Sequence, residues 1–403
     1  MDVGNPTGTV APTATGIAGP TGQRPSGGWF PVLDTLRAVG ALAVLTTHTA
    51  FWAGSYTTHG YVGALLARLD VGVAVFFVLS GFLLARPHLA AARTRSAPPP
   101  LGAYVRHRIW RIAPLALVTV ALALTLVEGA QSVPWREKLA ALTLTSIYTV
   151  DNGFPAGITH LWSLATEIAF YVALPLVMLV AVGRGGRAGL RPGRLVAVVT
   201  GSVAVSVAWF LALPVLEPHL TSGQPHLWLP GYLAWFGAGI GLAAAYELGA
   251  EGRGGRVVAA LRALAAQPGV CWGLAVGLLL VAATPIAGPS MLAATTPDAH
   301  VVKTLLYTVI ATLVVLTGVF ASSPGYTRAL SHPAARRLGV VSYGIFCLHL
   351  PVLHLVMWTT GWPLFEGRFL AIWGVTLVIS YVAAEASYRW IEAPAQRFAR
   401  RRG

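Results

Sequence analysis

Charge is what this sequence has least of. Only 10% of its 403 residues are Asp, Glu, Lys or Arg, against about 25% in soluble domains, and 55% are hydrophobic. A soluble chain of this make-up could not cover its own surface, so an ordinary soluble enzyme is excluded and a bilayer is the expected solvent. Acidic residues are scarcer than basic ones, 14 against 28, for a net charge of +14. Cysteine is nearly missing. Cys271 and Cys347 both lie in apolar runs, so no disulfide framework is implied. No CxxC or HExxH pattern offers a metal site. No polar stretch is long enough for a soluble domain, so any chemistry belongs inside the membrane bundle or at its faces.

What is present is a series of apolar runs, each about as long as the 20 residues that cross a bilayer. Ten are read, at 33–53, 70–88, 108–128, 158–182, 195–214, 227–246, 269–287, 301–320, 338–359 and 369–391. Segment 138–150 is too short for a span and is open to re-entrant, interfacial or extending readings. Residues 1–28, rich in Gly, Pro, Thr and Ala, read as a flexible tail. They have no charged start followed by an apolar stretch, so the first span is expected to be retained. The fold class expected is thus an all-α polytopic bundle over 29–395, followed by a basic tail at 396–403.

The basic residues have a pattern. Breaks after even-numbered spans hold Arg86, Arg93, Arg95 and Arg106; Arg184, Arg187, Arg191 and Arg194; Arg253, Arg256 and Arg262; and Arg328, Arg336 and Arg337. The C-terminal tail adds Arg397, Arg400, Arg401 and Arg402. Breaks after odd-numbered spans hold only Arg68, Arg136, Lys138 and Arg368. The positive-inside rule places both termini in the cytoplasm, as an even span number also requires. Most of the +14 therefore reports orientation. With the basic residues divided among several segments and no groove-reading domain, a nucleic-acid partner is not expected.

Ionisable residues inside spans are costly and mark function by default. Asp34 and Arg37, three apart, share a helix face and can pair. His48 comes 11 residues after Arg37, on the same face and about 16 Å along the axis. Arg108 and Arg111 share a face at a span entrance; orientation explains them, and so does an anion site, because guanidinium forks suit phosphate. His160, Ser163 and Glu167 fall on one stripe, with Trp162 and the Phe170–Tyr171 pair as aromatics. His349 lies beside Pro351. Glu385 is unexpected, and Arg389 and Glu392 are spaced for an ion pair. Ser80, followed by Gly81, reads as a packing residue, with no GxSxG elbow around it. Buried Glu and His also suit a proton-coupled transporter or flippase, but no pair of broken spans recurs in two halves.

Six stretches in order, LDTLRAVGALAVLTTH, VGVAVFFVLSGFLLAR, RIWRIAPL, HLWSLATEIAFYVALP, SYGIFCLHLP and YRWIEAP, run from 33 to about 395. Together they resemble the bacterial acyltransferase-3 family of integral membrane O-acyltransferases. The family's R-x10-H motif falls on Arg37 and His48, its RxxR motif on Arg108 and Arg111, and its WSLxxE segment on Trp162 to Glu167. Relatives often read Glu-Glu-Gln-Phe-Tyr where this chain has Glu167-Ile168-Ala169-Phe170-Tyr171, and often carry a second His where it has Thr47. The resemblance implies a multi-pass enzyme of the cell membrane that moves an acyl group, often acetyl, from acyl-CoA to a hydroxyl. The acceptor class is a sugar, glycolipid, surface polysaccharide or macrolide-type natural product. Acyl-CoA is then a co-substrate and no cofactor is bound permanently. Some relatives carry a fused SGNH domain; with Gly403 soon after the last span, none is expected here. On this reading His48 is the general base or carries the acyl group transiently, and Glu167 orients His48 or the acceptor. Arg37, Arg108 and Arg111 hold the donor's phosphates. Asp34, Trp162, Ser163, His349, Glu385 and Glu392 are structural or substrate-orienting.

Overall fold

The computed structural model describes residues 30–183, 189–290 and 295–401. The 1–28 tail, Arg184, Arg187 and Arg402 lie outside the described residues. Among the described residues there is no strand, and each of the ten apolar runs contains one long helix. These are α1 (Pro31–Trp52), α2 (Val71–Arg93), α3 (Leu101–Leu126), α4 (Trp162–Val182), α5 (Pro192–Leu216), α6 (Leu229–Ala250), α7 (Pro268–Ala282), α8 (Pro297–Val319), α9 (Pro333–Thr360) and α10 (Phe369–Ser387). Proline starts many of them. Six of the ten have Pro in the first two positions, where its fixed φ suits the helix and its missing N–H costs nothing.

By length and apolarity, eight helices among the described residues qualify as spans. The ninth is broken: Gly255–Ala265 meets α7 at 90°, and α7 itself has only 15 residues. The tenth is α1, which falls short of that apolarity because Asp34, Arg37, His48 and four threonines lie within it. It is nonetheless central, packed against α2, α8, α9 and α10. The polar residues that lower its hydropathy face protein, where they can be satisfied. Segment 138–150 is not a span. It forms short helices at Trp135–Leu142 and Ser146–Thr149, with Trp135 and Leu139 exposed.

One of the close crossings joins α2 to α6 at paired glycines. A Cβ on Gly239 would lie 2.1 Å from the Val78 carbonyl oxygen, and one on Gly81 would lie 2.2 Å from that of Phe236. Small residues let backbones approach this closely in membranes. Gly239→Val is expected to force the helices apart and cost roughly 1–3 kcal/mol or more, read as a lower unfolding temperature in detergent. Wild-type stability would show that this crossing is not a constraint.

One expectation about the last span needs correction. Arg389 does not pair with Glu392. It lies 3.8 Å from Glu385, and Glu392 accepts from Ser387 at 3.1 Å. The cause is a π-helical turn over Tyr388–Glu392, which widens the repeat so that residues three apart no longer face each other. Glu385 is held by Arg337 of α9 through two hydrogen bonds and by Tyr381. That pairing ties α9 to α10, and Glu385 does not line the cavity described next. The basic C-terminal segment is a helix, Ala393–Arg401, packed on α3, with Arg106 donating to the Ala399 carbonyl.

Candidate active site

A cavity of about 320 Å³ opens between α1, α2, α3, α4 and α9. It gathers Arg37, Arg108, Arg111 and Glu167, which come from three helices. Arg37 is set by Asp34, whose Oδ1 accepts at 2.9 Å; Asp34 Oδ2 also lies 3.9 Å from Arg336. Arg108 and Arg111 form no ion pair among the described residues. The Arg108 Nε is buried without a hydrogen-bond partner, and its guanidinium sits over the Tyr171 ring at 5.8 Å. Three guanidinium groups against the single carboxylate of Glu167 leave the lining positive, the setting for an anionic ligand.

Glu167 does not orient His48, contrary to one sequence-based expectation. Its carboxylate accepts from Ser80 and from Tyr171, the latter at 2.8 Å. The reason is axial offset: Glu167 is seven residues past His160, about 10 Å along a helix, and so at the level of the arginines. Ser80 is correspondingly more than a packing residue, because it binds Glu167 and lines the cavity. Ser163 lines the cavity too, with its hydroxyl turned back to the His160 carbonyl at 3.2 Å. Trp162 packs against Tyr232, ring centroids 5.2 Å apart. Glu392 is buried beside Ser387 at the foot of α10.

Three histidines meet beyond the cavity. His48 Nδ1 lies 2.8 Å from the Val44 carbonyl oxygen and 3.1 Å from His349 Nε2. His349 Nδ1 lies 2.6 Å from the Phe346 carbonyl oxygen. Carbonyls only accept, so both Nδ1 atoms carry hydrogen. His349 Nε2 is then a lone pair facing the His48 N–H, and His48 Nε2 is left as a lone pair. His160, 97% buried, stands 4.7 Å from His349, ring to ring. Its Nε2 donates to the Cys347 carbonyl at 3.1 Å, and its Nδ1 has no partner.

Prolines make two of these contacts available. Pro351 has no N–H for the carbonyl four residues back, Cys347, and His160 uses that carbonyl instead. Pro175 likewise frees the Tyr171 carbonyl, which accepts from Tyr104 at 3.0 Å. A family profile described as acyltransferase domain matches residues 30–385. The chain belongs to this acyltransferase family.

The chain is 32% identical to Acyltransferase MdmB of Streptomyces mycarofaciens over 36% of its own length and 38% of the relative's. It is 24% identical to Peptidoglycan O-acetyltransferase OatA of Listeria monocytogenes over 92% of itself and 56% of that protein. It is 26% identical to Nodulation protein 10 of Rhizobium leguminosarum over 94% and 96%. The chain thus spans only about two fifths and about half of the first two of these relatives. No solved structure matches it. With its apolar helices, the acyltransferase-family chain is a multi-pass protein of the cell membrane.

Among the site residues of this acyltransferase-family protein, sequence reasoning took Ser80 and Tyr171 only as packing residues and gave His160 no role beyond its place on the Glu167 stripe. The usable signals were local: a proline four residues after Cys347, and a tyrosine four residues after Glu167, one helical turn away. Asp70, at the head of α2, is bound by Lys303 at 2.6 Å and by Tyr307, joining α2 to α8. Among the described residues no set of three or more His, Cys, Asp or Glu side chains is arranged to hold a metal.

Proposed function

We propose that this protein transfers an acyl group from acyl-CoA to a hydroxyl of a cell-envelope glycan or glycolipid, with His48 as general base. The observation that carries the reading is the fixed tautomer of His48. Val44 and His349 hold its Nδ1–H, so Nε2 is the basic nitrogen, about three helical turns along α1 from the arginine cavity. A hydroxyl is a poor nucleophile until a base takes its proton, and neutral imidazole suits that task near neutral pH.

In this reading the termini are cytoplasmic and the arginine end of α1 faces inward. Arg37, Arg108 and Arg111 hold the donor's phosphates, as guanidinium groups do. The acceptor oxygen attacks the thioester carbonyl while His48 Nε2 takes its proton. The new C–O bond forms, the C–S bond breaks, and the proton passes to the leaving thiolate. Glu167, fixed by Ser80 and Tyr171, keeps the donor end of the site polar. The name of the Listeria relative points to peptidoglycan as one acceptor class; a macrolide-type hydroxyl is another.

The test is transfer of radiolabelled acetyl from acetyl-CoA to peptidoglycan fragments, glycolipid or macrolide by purified protein. Alkali-labile label on the acceptor is the expected result. Substrate counterflow in proteoliposomes without donor, and no label on any acceptor, would instead make the protein a transporter. His349→Ala should lower kcat about three- to tenfold, the worth of one neutral hydrogen bond to His48, with the KM for donor unchanged. A change in KM alone would place His349 outside the base's support.

A further inference from the structure

The arginine cavity stops short of the histidines, none of which lines it. Two phenyl rings stand at that wall. Phe76 of α2 and Phe346 of α9 both line the cavity and meet edge to face, centroids 5.7 Å apart. The Phe346 ring is also in contact with the histidine side, 5.1 Å from His160 and 6.1 Å from His349. Both rings are confined. A Cβ on Gly40 of α1 would lie 3.3 Å from the Phe76 ring, and Phe346 is buried.

The proposed reaction sets a distance. The thioester carbonyl carbon must come within about 3–3.5 Å of the acceptor oxygen, and that oxygen must be within hydrogen-bond reach of His48 Nε2. A donor whose phosphates lie on the arginines therefore brings its acyl end to the two rings. An acetyl group asks for little room there. Each further methylene must displace a phenyl ring packed against a helix backbone or a histidine, and packed interiors resist added volume.

We infer that Phe76 and Phe346 form an acyl-length filter that selects acetyl over longer acyl donors. The inference rests on the acyltransferase reading above and adds the donor class. The chemistry is the same for every chain length, with the ester C–O bond formed, the thioester C–S bond broken and the acceptor proton delivered to the thiolate. Only the fit of the acyl group differs.

The experiment compares acetyl-, propionyl- and butyryl-CoA with the full-length protein and peptidoglycan fragments, following release of the CoA thiol and label on the acceptor. Wild type should lose roughly tenfold or more in kcat/KM per added methylene. Phe346→Ala and Phe76→Ala should raise the butyryl-to-acetyl ratio by about 100-fold, two methylenes' worth. Phe346→Leu and Phe76→Leu should move it in the same direction by less, and they carry the test if an alanine variant does not fold. The inference is overturned if wild type uses butyryl as well as acetyl, if the ratio is unchanged in folded variants at both positions, or if a folded Phe346→Ala protein transfers no acyl group. Failure of wild type to transfer even acetyl to peptidoglycan fragments, glycolipid and macrolide alike is a different result: it removes the acyltransferase reading, and the filter with it.

Discussion

His48→Ala should abolish acyl transfer, by about 10²- to 10⁴-fold in kcat, the usual contribution of a positioned general base, while the protein remains folded and binds donor. The expectation of folding comes from the site itself. His48 is only partly buried, and its replacement removes one side-chain bond to a helix carbonyl and the contact with His349. Donor binding should survive because His48 does not line the arginine cavity. A more telling variant is His48→Asn. An amide N–H can still bond to Val44 and His349, but no basic nitrogen is left, so the loss should match that of alanine. Recovery of activity by asparagine would mean that position 48 serves packing or orientation. Wild-type transfer by a folded His48→Ala protein ends the assignment. Incubating wild type with labelled donor alone separates base from carrier: label retained on the protein and lost in His48→Ala would show an acyl-histidine.

Replacing Arg108 or Arg111 with Ala should weaken donor binding by roughly 10- to 150-fold each, the 1.5–3 kcal/mol of a hydrogen bond to a charged group. Neither arginine is engaged by a carboxylate in the described structure, so removing one leaves no buried acid unpaired and should not cost stability. Arg37→Ala should behave differently. Its partner Asp34 would be left with Arg336 at 3.9 Å, and some loss of stability should accompany the loss of affinity. The measurement is acyl-CoA affinity by calorimetry on detergent-purified protein, beside its unfolding temperature. Unchanged affinity in both Arg108→Ala and Arg111→Ala would leave these residues as markers of membrane orientation only.

The parts of the site that lie on one helix were readable in advance. Asp34 and Arg37 are three apart and do pair; Arg108 and Arg111 share a face and do share a cavity. The hydrophobic runs located every long helix, because each must shield its own backbone from lipid. What spacing could not give was the partner across a gap. Glu167 shares a stripe with His160, yet it answers to Ser80 of α2, while His160 answers to Cys347 of α9. Glu385, conspicuous in a span, proved to be paired with Arg337. The supposed Arg389–Glu392 pair failed because a single π-turn shifted the register.

Scarcity of charge by itself determined the compartment of this protein, its helical class and the few positions where a buried ionisable group must be explained. Those conclusions follow from hydrocarbon's demand that every span be apolar and internally hydrogen-bonded. Only the tertiary structure decided that His48 faces His349, 301 residues away, that three arginines share one cavity, and that Phe346 touches both that cavity and two of the histidines. Such contacts depend on how far each helix is rotated and how closely it approaches its neighbours. Those quantities are set by steric fit at crossings such as Gly81 with Gly239, not by the periodicity of any one segment.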